Sequence, residues 1–160
     1  MNKFANQISK AIHEKLLKNV RATVARYGQA VMGIIDDGPN TFHYTVGRGK
    51  RGLPELLITA PLHPETARLI LNDLDQLMPE PVTSGTRITC PGGTCPVMVI
   101  DTDDHEHVTS YTKVATAFHR GRKNYRVQQV VISDETGRFP PDCDPSYAAQ
   151  PLLGTVVQLH

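Results

Sequence analysis

Apolar residues recur every fourth position at Phe4, Ile8, Ile12, Leu16, Val20 and Val24, and Tyr27 follows three residues later. That period predicts a long amphipathic helix, with Gly28 placed to cap its C-terminus. Residues 29–35 then read as a nearly continuous apolar strand, Ala30-Val31-Met32-Gly33-Ile34-Ile35, closed by the turn Asp36-Asp37-Gly38-Pro39-Asn40. Over 41–46 the period drops to two. Phe42, Tyr44 and Val46 alternate with His43 and Thr45, so the two strands should form a hairpin. Gly47-Arg48-Gly49-Lys50-Arg51-Gly52 is a basic glycine loop held between that strand and a third at 56–59, with Leu53-Pro54-Glu55 as the entry.

His63-Pro64-Glu65 opens a second helix, with proline at its first position and an acid in its first turn. Ala67, Ile70, Leu71, Leu74, Leu77 and Met78 form its core stripe, and Pro79 and Pro81 end it. Residues 86–90 and 96–100 read as a hairpin. Asp103 and Glu106 resemble a capping box for a third helix, which buries Val108, Tyr111, Ala115 and Phe118 and stops at Gly121. A valine-rich strand at 125–132 closes on the turn Asp134-Glu135-Thr136-Gly137. The proline-rich remainder should fold back as an ordered arm that buries Phe139 and Leu152, because an unstructured tail gains nothing by exposing such groups. The expectation is an α+β fold on a mostly antiparallel sheet, with about three helices and an ordered C-terminal arm. It forms one domain over 1–160: an N-terminal helix (1–27), a body (28–137) and the arm (138–160).

Composition narrows the setting. At 160 residues and 39% hydrophobic, the chain is long enough for one true core. A net charge of +1 argues against a surface that is basic overall, so any polyanion contact must be local. No signal-peptide core or bilayer-length apolar run is present, which points to a cytoplasmic protein with no membrane partner. Three cysteines, Cys90, Cys95 and Cys143, are an odd set for a disulfide-built secreted domain. Cys90 and Cys95 bracket a turn, as reduced thiols close enough to oxidise. A zinc site needs about four ligands, and that pair with one distant cysteine does not supply them.

Two stretches carry a family resemblance. His43-Tyr44-Thr45-Val46-Gly47, followed by Leu53-Pro54-Glu55-Leu56, resembles the "YTVGL … HPEL" motif of an uncharacterised family of bacterial and phage proteins catalogued as domain of unknown function 4262. Gln128-Gln129-Val130-Val131, Asp134, Gly137-Arg138-Phe139-Pro140, Asp144-Pro145 and Gln150-Pro151-Leu152-Leu153-Gly154 resemble its ending, "QLVWPD..GRFPW…DP…QPLLG". The likeness covers 27–154. Arg48, the Lys50-Arg51 pair, Pro141 and the two hairpin cysteines depart from the pattern. It implies a shared fold and a shared site and carries no activity.

The candidate chemistry centres on the glycine loop. Its backbone donors and its charge suit a phosphate, although it is neither a P-loop nor a GxGxxG turn opening a helix. A second basic run, Arg120, Arg122, Lys123 and Arg126, would join it if the two converge. The leading expectation is a binding module for an anionic small molecule or nucleotide, using Tyr44, Arg48, Lys50, Arg51, Glu55 and Arg138. The alternative is a small hydrolase or transferase with His43 as acid–base and Asp134 as its partner. A third reading is a docking protein, with a homodimer formed through the first helix. The acidic and histidine-rich run 101–107 is explained by helix capping rather than by a metal, and no cofactor motif is seen.

Overall fold

The computed structural model describes residues 3–34, 40–91, 93, 95–147 and 149–157. The turn expected at 36–40 lies, apart from Asn40, outside them. The order is α1 (Lys3–Tyr27), β1 (Ala30–Ile34), β2 (Phe42–Val46), a 3-10 turn at Arg48–Arg51, β3 (Glu55–Ile58), α2 (Pro64–Leu77), β4 (Thr86–Ile88), β5 (Val97–Asp101), α3 (His105–Tyr111), α4 (Lys113–His119), β6 (Val127–Ile132) and a last 3-10 turn at Pro145–Tyr147.

The strands form a six-stranded sheet in the order β1-β2-β3-β6-β5-β4. Four pairings are antiparallel, and β3 lies parallel to β6, with Glu55 opposite Val127 and Leu57 opposite Gln129. The α+β class therefore holds, with one parallel seam at its centre. Alternation along β3 sends Leu57 to one face and Leu56 and Ile58 to the other. Leu57 joins Tyr44, Val46 and Val127 under Val20 and Val24 of α1 and Val108, Ala115 and Phe118 of α3 and α4. Leu56 and Ile58 join Val99 and Val130 under Ala67, Leu71 and Leu74 of α2 and Met78 at its C-cap.

Three expectations are corrected. The third helix is two, so the described residues hold four. Thr112 (φ −101°, ψ 49°) breaks it, is fully buried, and binds the Tyr125 hydroxyl through both its own hydroxyl (2.8 Å) and its carbonyl (3.2 Å). The cap is Asp104, whose carboxylate accepts from the His107 N–H; the Asp103 N–H instead donates to the Leu153 carbonyl. In the arm, Phe139 is buried against Met98, Ile100 and Val131, but Leu152 is 42% exposed and Leu153 takes the core position.

Polar side chains hold the arm to the sheet. The Gln150 amide donates to the Ile132 carbonyl (2.7 Å) and accepts from the Ile132 N–H (2.9 Å), as a neighbouring strand would. Gln129 donates to Thr59 Oγ1 (2.8 Å) and the Pro151 carbonyl (2.7 Å), and accepts from the Leu153 N–H (2.8 Å). Among the described residues, no helix is long and apolar enough to cross a membrane.

Candidate functional site

The glycine loop already holds an anion, and that anion is Glu55. Gly47 adopts φ 119°, a left-handed turn that a side chain would obstruct, since a Cβ there would lie 2.8 Å from Val24. The turn aims three successive N–H groups inward. Gly47 (2.9 Å) and Gly49 (3.2 Å) donate to Glu55 Oε2, and Arg48 (3.1 Å) to Oε1. The Thr45 hydroxyl adds a fourth bond to Oε1 (2.9 Å) and His119 Nε2 a fifth to Oε2 (2.7 Å). Glu55 is fully buried. A concave set of backbone donors of this kind binds anions generally; here the first residue of β3 delivers the chain's own carboxylate.

The loop's two arginines are both held by Asp75, Arg48 buried and Arg51 at the surface. Arg48 is 1% exposed, donates from Nε to the Pro54 carbonyl (2.9 Å) and pairs through Nη1 with Asp75 on α2. Arg51 shares Asp75 (2.8 Å) and also reaches the Gly28 carbonyl. Lys50 is exposed and lies over the Phe118 ring at 5.3 Å. Tyr44 lies in the core, its hydroxyl accepting from the Val114 N–H (3.1 Å), and burial pushes its pKa up to about 12. Arg138 is exposed, with its backbone N–H on Asp134.

His43 and Asp134 are not brought together. His43 is 2% exposed, packs over Gly33, and neither ring nitrogen has a hydrogen-bond partner; burial lowers its pKa. The Asp134 carboxylate accepts from the N–H groups of Thr136, Arg138 and Asp144 and from the Thr136 hydroxyl, so it organises its own turn. The histidine–carboxylate bond among the described residues is His119–Glu55. His119 also stacks on Tyr125, with ring centroids 4.9 Å apart. Sequence reading missed His119 because it sits at a helix end 64 positions from its partner. Only the β3/β6 seam joins them.

The cations of the two basic runs do not gather on one site; the backbone of the glycine loop meets two cations of the second run. Gly49, Gly52 and Leu53 meet Lys123, Asn124, Tyr125 and Arg126 around a depression of about 200 Å³. Lys123 and Arg126 are exposed, and no side-chain partner for either lies among the described residues. A Cβ at Gly52 would meet nothing within 4 Å, so a ligand can approach the backbone there. Among the described residues, no group of three His, Cys, Asp or Glu is gathered for a metal.

The model of the family described as domain of unknown function DUF4262 matches residues 23–145. The chain belongs to that family. Among curated proteins and among solved structures, nothing matches it. Several residues that carry the family motifs prove to hold the fold together. Glu55 anchors the loop, Asp134 ties the last turn, and Gln150 pairs with the end of β6. The depression draws Lys123 and Arg126 from outside those motifs.

Proposed function

We propose that this protein binds an anionic small molecule, or the phosphate end of a nucleotide, in the depression between the 48–51 turn and residues 123–126. The observation that carries this reading is the convergence of Gly49 and Gly52 with the unpartnered Lys123 and Arg126. Arg48 and Arg51 are held by Asp75, so the charge for the ligand comes from the second basic run, with Lys50 at its margin. At about 200 Å³ the space is below the range typical of whole-ligand pockets and suits one charged group. Calorimetric titration with inorganic phosphate, pyrophosphate and nucleotides tests it. A Lys123→Ala/Arg126→Ala double variant should lose the binding and keep the melting temperature of the free protein. Unchanged affinity in that variant removes the depression from the site.

A cytoplasmic setting is supported by Cys90 and Cys143, neither of which forms a disulfide. A second reading, a homodimer formed through α1, is favoured by Ile12 and Leu16, which are 65% and 37% exposed on a helix that buries Val20 and Val24 further along.

A further inference from the structure

Two stretches of the chain contain no acid. Residues 40–54 carry Arg48, Lys50 and Arg51, and residues 107–133 carry Lys113, Arg120, Arg122, Lys123 and Arg126. These eight cations are nearly half of the seventeen. The rest of the chain sets nine against all sixteen acids, a net −7. A nearly neutral protein thus concentrates its positive charge, and a local excess of that kind attracts polyanions. The fold decides which of the eight are on offer. Arg48 and Arg51 are held by Asp75, Lys50 lies over Phe118, and Lys113 stands at the far end of α4. Arg120, Arg122, Lys123 and Arg126 remain, all exposed. Among the described residues, the carboxylate paired with any of them is Glu106, 3.6 Å from Arg122 and itself exposed.

The four stand on a fixed turn. Asn124 Nδ2 donates to the carbonyls of His119 (2.9 Å) and Arg120 (3.3 Å), and the Arg126 carbonyl accepts from the Glu55 N–H (2.9 Å). Even fully extended, residues 120–126 would span no more than about 22 Å between their end Cα atoms. The depression uses part of this charge. Lys123 and Arg126 line it, whereas Arg120 and Arg122 lie outside its lining. A ligand that meets all four must carry further anionic groups beyond the one that fits the depression. Phe118 and Tyr125, beside these cations in the sequence, are 8% and 5% exposed, so neither offers a platform to an unstacked base. None of the large apolar side chains exposed among the described residues belongs to either stretch, which leaves nothing here to insert into a lipid surface.

We propose that this face binds the sugar–phosphate backbone of a nucleic acid without reading its sequence. One phosphate enters the depression against Lys123 and Arg126, and its neighbours along the strand meet Arg120 and Arg122. This rests on the anion-binding reading above and extends it from one phosphate to a chain of them.

Fluorescence anisotropy with duplexes of about 20 base pairs, taken from about 50 to 300 mM NaCl, tests the extension. The logarithm of the affinity should fall linearly with that of the salt concentration, with a slope of about −3 to −4 for four phosphate contacts, whatever the base sequence. Arg120→Gln/Arg122→Gln should make the slope shallower by about 2. It should leave the calorimetric titration with pyrophosphate unchanged, because neither residue lines the depression. Pyrophosphate binding with no tighter binding of the duplex overturns the extension and leaves the small-anion reading standing. A double variant with the parent's slope also overturns it, by removing Arg120 and Arg122 from the contact. Binding to phosphatidylserine vesicles in place of the duplex overturns it in favour of a membrane surface. A protein that binds neither pyrophosphate nor duplex overturns both readings.

Discussion

Glu55→Gln probes whether a buried carboxylate anchors the glycine loop. The substitution keeps the shape and removes the charge. If the new amide nitrogen replaces Oε2, it faces the N–H groups of Gly47 and Gly49 and the His119 ring. If it replaces Oε1, it faces the Thr45 hydroxyl, which can turn to accept, and the Arg48 N–H, which cannot. The second orientation is cheaper and orphans one backbone donor, a cost of about 1–3 kcal/mol. The bonds that survive become neutral, and a bond to an ionised acceptor is roughly twice as strong as a neutral one. The loss should reach at least about 2 kcal/mol, a sizeable part of the 5–15 kcal/mol typical of a domain. For a chain of this length that corresponds to about 4–8 °C in Tm. Urea titration followed by circular dichroism reads the difference directly, and Glu55→Ala, which strips all five bonds, should lose more. A Glu55→Gln protein with the parent's midpoint and slope would refute the account of the loop given above.

Phe139→Ala opens a hole among Met98, Ile100 and Val131 and should cost about 3–5 kcal/mol in the same titration; a change below 1 kcal/mol would mean the arm does not share the core. The backbone N–H of Arg138 and the others around it hold the Asp134 carboxyl well below the usual carboxylate range. Its contribution is therefore present above the unfolded value, about pH 4, and is lost as pH falls from there towards the folded value. Asp134→Asn should flatten that acid limb in urea midpoints taken from pH 5 to pH 2, and an unchanged limb would place the titration elsewhere. His43 works in a higher window. Burial lowers its folded pKa, so the unfolded chain takes up a proton first and stability drops as pH falls below about 6.5. His43→Leu should remove that slope and hold or raise stability, since both ring nitrogens are unpartnered; a slope that persists would clear His43 of it.

Much of this fold is legible along the chain because its signals are local. The change in period at Phe42, the proline opening α2 and the left-handed Gly28 after α1 all stand within a few residues of what they determine. The seam between β3 and β6 was not legible, because nothing in Glu55–Ile58 names a partner some 70 residues away. The candidate site inherits that blindness. The loop reads as an anion cradle, and it is one, but its anion is Glu55, a few residues further along the chain, and the His119 ring that completes the cradle comes from 64 residues away. Arg48 reads as a surface cation and is buried on Asp75, which only the packing of α2 reveals. Helix periodicity also ran past Thr112, since the tyrosine that claims its carbonyl belongs to the segment leading into β6. In the arm, where no period exists, composition identified the apolar pair at 152–153 and could not say which of the two turns in.

The strand-like clasp of Gln150 on Ile132 has a bearing on synthesis. Strand β3 is made early, yet its parallel neighbour is completed only at Ile132, and Gln150, Pro151 and Leu153 must follow before the clasp closes. Such distant contacts close slowly, because a long loop must be ordered before any of them forms. While the chain is being made, Leu56, Leu57 and Ile58 stand as an unpaired apolar edge that awaits the last fifth of the sequence. A chain that ends before β6 is complete leaves its middle strand uncovered, the state in which sheet proteins aggregate, whereas one that ends between Ile132 and Gln150 has all six strands and lacks the clasp. The arm is thus the last fastening, added once every strand of the sheet has been made.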